Sequence, residues 1–203
     1  MLIVMVAGLP GSGRHEAAAQ LASVLAEGGQ RAALVTMGGD PAAAPLALDA
    51  LADVTHHTTA DGCVGCHSGQ ALMRTLDGIY RAEQPDVAVV ELSATALPDT
   101  LRPYLDALAD VPVEAVRVIV TAAACGPALA HQQGLAFLFE NMLRTADAIW
   151  LPAAGGCSAV EVEALRTALA SFDTAGTLIT GGAPEAAVAL LPDTISERSG
   201  MVD

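Results

Sequence analysis

Lysine is absent from all 203 residues of this chain, so its nine basic residues are all arginine. Set against 23 acidic residues, they leave a formal net charge of -14. That balance excludes the basic surface a nucleic-acid backbone requires, so no nucleic-acid partner is expected. It equally opposes docking on an anionic membrane surface. Aromatic residues supply only 3% of the chain, which leaves Ala, Val and Leu to build the core. Small aliphatic side chains suit a parallel sheet covered by helices. No apolar run approaches the roughly 20 residues of a membrane span. The apolar start, Leu2 to Ala7, has no basic segment before it and runs straight into Gly and Pro, so no secretory leader is expected. A cytoplasmic location follows. In a reducing compartment the four cysteines suit thiols or metal ligands better than disulfides.

What is present alternates. Short β-rich runs (Leu2–Ala7, Ala32–Met37, Val87–Leu92, Ala115–Thr121, Ala148–Leu151 and Gly176–Ile179) are separated by longer Ala-rich stretches at helical spacing. The predicted helices are Arg14–Glu27, Gly69–Glu83, Thr100–Ala109, Ala128–Thr145 and Ser158–Ser171, the last opened by the capping box Ser158-Ala-Val-Glu161. Strand–helix alternation predicts βαβ units and one α/β domain. The segment from Gly38 to Cys66 escapes the pattern and reads as a long loop, a length that is uncommon without a function. The domain is expected to span 1–180, with 181–203 as a tail forming a short helix or staying disordered.

The first turn of the alternation carries the main chemical signal. Gly8-Leu9-Pro10-Gly11-Ser12-Gly13-Arg14-His15 follows a strand and opens a helix. This is the glycine frame of a Walker A phosphate loop, Gly-x-x-x-x-Gly-Lys-Ser/Thr, in which glycines let backbone N–H groups converge on phosphate oxygens. The following helix adds its N-terminal dipole. Arg14 stands at the lysine position, and its planar guanidinium differs in size and shape from an ammonium. His15 stands at the hydroxyl position and offers nitrogen, whereas Mg²⁺ prefers oxygen. The candidate nucleotide-binding set is therefore Gly8, Gly11, Ser12, Gly13, Arg14 and His15, with efficient Mg²⁺-dependent hydrolysis disfavoured. The plain alternative is a strand-to-helix turn that binds nothing.

Two further segments bear on function. Asp86-Val-Ala-Val-Val-Glu91 is an apolar strand ending in a carboxylate, which suits a second-sphere Mg²⁺ ligand or a water-orienting group. Glu91 is the candidate catalytic residue. Cys63-x-x-Cys66-His67 places three soft or borderline ligands within five positions, a set that Zn²⁺ and Ni²⁺ accept. Cys63, Cys66 and His67 are the candidate metal ligands. A water, His56, His57 or a second subunit could supply the fourth, and a symmetric homodimer would serve that purpose. A redox pair or two buried apolar cysteines are the competing readings. Cys125 and Cys157, without neighbouring ligands, read as buried thiols.

In order and spacing these motifs resemble the CobW/HypB/UreG family of P-loop GTPases over about residues 1–180. Gly62-Cys63-Val64-Gly65-Cys66 resembles the family's cysteine motif with its middle cysteine replaced. Cys66-His67 is similar to the Cys-His pair of nickel-handling members. Glu91, Ser93 and Pro98 fall where the family has Glu, Ser and Pro, with Ala94 in place of Gly. The resemblance implies a P-loop NTPase-like, mostly parallel sheet with helices on both faces. It also implies GTP or another nucleotide as cofactor, Zn or Ni as metal, and a client metalloenzyme or cofactor-maturation proteins as partners. The departures are as informative. After Ala148-Ile149-Trp150-Leu151 comes Pro152-Ala153-Ala154-Gly155, with neither the Asn nor the Asp that reads guanine. The strand ending at Thr121 lacks the family's Asp. A buried base edge without its partner is costly. The implied function is thus a nucleotide-binding-fold metallochaperone or maturation accessory, a weak GTPase-like enzyme if hydrolysis survives. A non-catalytic pseudo-GTPase scaffold and a small-molecule kinase are the alternatives.

Overall fold

The computed structural model describes residues 1–37, 53–59, 67–94, 96–108, 110–113, 115–121, 134–152, 160, 163, 166–167 and 177–183. Seven strands form one sheet: β1 (Leu2–Gly8), β2 (Ala32–Met37), β3 (Val54–Thr59), β4 (Val87–Glu91), β5 (Ala115–Thr121), β6 (Ala148–Pro152) and β7 (Thr177–Gly181). Their order is β3-β2-β4-β1-β5-β6-β7 and every pairing is parallel. Parallel strands cannot be joined by tight hairpins, which is why helices separate them. Those described are α1 (Arg14–Glu27), α2 (His67–Glu83), α3 (Pro98–Asp106) and α4 (Ala136–Thr145). The expected α/β class and parallel sheet are what the chain adopts.

Strand alternation sorts the core into two layers. On one face Ile3, Met5 and Ala7 of β1 join Ala88 and Val90 of β4 beneath α2, α3 and α4. On the other, Leu2, Val4 and Val6 join Leu34, Val87 and Val89 beneath α1. That helix presents Ala17, Ala18, Leu21, Ala22 and Leu25, a stripe at three- and four-residue spacing. Its small alanines let it lie close across β1, β4 and β2. Leu72, Leu76 and Ile79 do the same work for α2.

Three expectations need correction. The stretch from Gly38 to Cys66 is not wholly irregular, because Val54–Thr59 is an edge strand paired with β2. Its polar Thr-His-His-Thr-Thr content hides it, although Val and Thr are β-branched and favour strands. The helix expected over 128–145 begins only at Ala136. Gly134, with φ 68, is in the left-handed region and cannot lie within a helix. The last strand runs to Gly181 and Ala183 packs in the α1-side core, so the packed body reaches a few residues past 180. The capping box at 158–161 lies largely outside the described residues.

Candidate functional site

Ligands of open parallel sheets bind at the carboxyl ends of the strands. There β1 ends at Gly8 and hands over to α1 through a five-residue turn. Gly11 and Gly13 have φ of 78 and 75. Both lie in the left-handed region, which explains glycine at these two positions. A Cβ on Gly11 would meet nothing within 4 Å, so the backbone angle and not crowding selects glycine there. The turn closes with Ser12 N–H donating to the Leu9 carbonyl at 3.0 Å. Gly13 is the N-cap of α1 and offers no side-chain cap. The first-turn amides of a helix have no intrahelical acceptor and so face an incoming anion.

Arg14 does not extend into solvent from this turn. Its Nε donates to the Leu92 carbonyl oxygen at 3.0 Å and stands 3.5 Å from Glu91 Oε1. The two side chains are only 5% and 4% exposed. His15 Nδ1 lies 2.7 Å from Glu91 Oε2. An ionised carboxylate only accepts, so that ring nitrogen carries the proton. The reason these three meet is periodicity. Glu91 follows Val87 and Val89 on the face that carries α1, and Arg14 and His15 open that helix. Sequence reasoning placed all three at one site without predicting that they bond to each other.

A second pair lies beside them. Thr36 of β2 is the register partner of Glu91, and its Oγ1 is 3.2 Å from His56 Nε2. Burial holds the His56 imidazole below its ordinary value, and the charges of His57 and His15 push it the same way. His57 faces the opposite side of β3. Its Nε2 is 3.0 Å from Glu83 Oε1, near enough for an ion pair but off the line of a hydrogen bond. Among the described residues, His56 thus stands against Thr36 and His57 against Glu83. Thr36 was missed, and His56 was read only as a possible metal ligand, because strand register alone brings them to Glu91.

Mg²⁺ is the ion this fold implies. The residues at its position do not fit it. Nitrogen stands where a hydroxyl is needed, and both Glu91 oxygens already face Arg14 or His15. Among the described residues, no three His, Cys, Asp or Glu side chains converge as a metal site. Cys63 and Cys66 lie outside the described residues, as do Cys125 and Cys157, and His67 is described only as the first residue of α2. On the base side, β5 ends at Thr121 and β6 at Pro152. Among the described residues no helix is long and apolar enough to cross a membrane.

No family model matches the chain, and no curated protein does. Solved structures do. The hydrogenase maturation factor HypB from Archaeoglobus fulgidus superposes with a TM-score of 0.60 at 10% identity, covering 89% of this chain and 80% of that one. HypB from Helicobacter pylori in complex with nickel gives 0.56 at 12% identity, covering 98% and 84%. The signal recognition particle receptor FtsY from Elizabethkingia anophelis in complex with GDP gives 0.56 at 15% identity, covering 98% of this chain but only 63% of that one. At such identities the likeness establishes the fold. The chain has the α/β fold seen in these P-loop GTPase structures, with a glycine turn after β1 whose following Arg14 and His15 are turned inward onto Glu91.

Proposed function

We propose that this chain is a nucleotide-binding-fold accessory of metal insertion or cofactor maturation, in which a nucleotide acts as a conformational switch without efficient turnover. The observation that carries the reading is the glycine-shaped turn at the carboxyl ends of β1 and β4, with Gly11 and Gly13 in the left-handed conformation. Two structural neighbours, a hydrogenase maturation factor and a HypB in complex with nickel, support the metal-handling half. Cys63, Cys66 and His67 are the residues of this chain with the chemistry to hold Zn or Ni. In this reading Gly8, Gly11, Ser12, Gly13 and the amides opening α1 receive the phosphates. Glu91 serves as an anchor for the loop, since orienting a water would require it to release His15.

Two measurements test the halves separately. Calorimetric titration with GDP and GTP should show saturable binding, with slow turnover of GTP. No binding of either nucleotide up to millimolar would sink the switch and favour a scaffold role, for which the inward-turned Arg14 and His15 are the supporting observation. Metal analysis of protein purified without chelator should find Zn or Ni, lost in the Cys63→Ser, Cys66→Ser double variant. Unchanged metal content in that variant removes the metal half.

A further inference from the structure

We propose that the Arg14–Glu91–His15 cluster takes the place of the divalent cation at the phosphate loop, closing the site to Mg²⁺. The inference rests on the nucleotide-binding reading for its ligand, but the exclusion of the cation stands on the geometry alone. In a working loop the ion lies between a hydroxyl on the first helical turn, the phosphates and the carboxylate ending the neighbouring strand. Here the helical position is His15, and its ring nitrogen sits directly on that carboxylate at 2.7 Å. A cation cannot enter between two atoms already at hydrogen-bond distance. Glu91 Oε1 faces Arg14 at 3.5 Å, so the fixed positive charge is supplied within the protein.

The neighbouring oxygen is taken as well. Thr36, the register partner of Glu91, has its hydroxyl 3.2 Å from the His56 imidazole. Thr36 and Glu91, the facing oxygen-bearing side chains of β2 and β4, are thus each paired with a nitrogen-bearing group. Imidazole nitrogens suit softer metals, yet His15, His56 and Glu91 do not converge on one point.

A consequence for the ligand follows. Turn amides and the α1 dipole can receive one phosphate group without metal. The terminal group of a triphosphate ordinarily relies on the lysine and Mg²⁺; this chain has no lysine, and both oxygens of Glu91 face Arg14 or His15. A chain with net charge -14 adds repulsion for each further anionic group. The ligand class is therefore a nucleoside diphosphate taken up without Mg²⁺, in preference to a metal-bound triphosphate.

The test titrates the full chain with GDP and with GTP, each in MgCl₂ and in EDTA. GDP affinity should agree between the two buffers within about threefold and exceed that for GTP in both. A gain of about tenfold or more on adding Mg²⁺ overturns the inference. A nucleotide-free readout uses Mn²⁺ as a paramagnetic probe and follows the amide resonances of Gly13, His15, Glu16 and Glu91. In the wild-type chain Mn²⁺ should broaden them no more than in Glu91→Gln, whereas His15→Thr should admit the ion and lose those signals selectively. Selective broadening in the wild type that Glu91→Gln abolishes means the cation reaches Glu91, and the inference fails even if nucleotide binds. Mn²⁺ exclusion in a chain that binds neither nucleotide upholds the closed site while ending the nucleotide reading.

Discussion

Strand β4 carries an arginine–carboxylate pair at each end, and the two pairs differ in almost everything but their chemistry. At its amino end Asp86 receives Arg31 Nε at 3.1 Å, Nη2 at 2.9 Å and the Arg31 backbone amide at 3.0 Å. This is bidentate geometry, yet the side chains are 61% and 40% exposed. At its carboxyl end Glu91 meets Arg14 at a looser 3.5 Å, with both side chains almost wholly buried. The better-made pair is the one in water, where exposed ion pairs contribute little. The poorer pair is the one whose loss would strand a charge out of water. A fold under no functional constraint has no reason to bury charges at the ligand edge of its sheet. Their position is the carboxyl edge of a parallel sheet, where open α/β folds bind ligands, while their bonding is directed inward.

The strongest way to break this contrast is to remove one buried partner. Arg14→Ala should leave Glu91 buried and uncompensated and lower unfolding stability by about 3–5 kcal/mol, read by urea denaturation. A loss below about 1 kcal/mol would mean that Glu91 is readily hydrated and the two ends of β4 are alike. His15→Ala removes a hydrogen bond to a charged acceptor and should cost roughly 1.5 kcal/mol, the low end for such bonds because His15 is partly exposed. Its effect should fall between those at the two ends.

Acid separates the ends in a different way. The His56 value is depressed in the folded state, so its contribution is complete above the ordinary histidine value of 6.5 and is lost as pH falls below it. The Arg31 hydrogen bond holds the Asp86 carboxyl below its ordinary 3.8, so that contribution persists above this value and is lost only as pH falls further. Between those two values the carboxyl end should weaken while the amino end does not. Denaturation midpoints of the wild type and His56→Gln, compared above and below 6.5, should converge as pH falls. Parallel curves would show that His56 adds nothing. The smallest effect is expected from Arg31→Ala, a slight loss of stability at low salt that molar salt erases.

The fold was largely legible in the chain because each layer repeats a simple period. Arg14–Glu27 was predicted with the bounds observed, since its alanine and leucine stripe follows the helical repeat over fourteen residues. Six of the seven strands appeared as apolar β-rich runs. The seventh, Val54–Thr59, did not, because an edge strand half in contact with water needs no apolar run. The candidate site was legible as a set of residues and illegible as a set of bonds. Gly11 and Gly13 announce the turn. Nothing in the linear order indicates that Arg14 reaches the carbonyl of Leu92, seventy-eight positions away.

What the sequence determined by itself was the alternation of strand and helix, the glycine turn and the absence of lysine. These are local properties, set by backbone angles and by which side chains exist. What tertiary structure decided was where the substituted side chains go. Strand register puts Glu91 beside Thr36 and Val6, and the face parity of β4 aims it at α1. A buried carboxylate then requires partners, and Arg14 and His15 are the donors within reach. That long-range demand for compensation turns an altered phosphate loop into a closed charge cluster, and no local reading of Gly8 to His15 contains it.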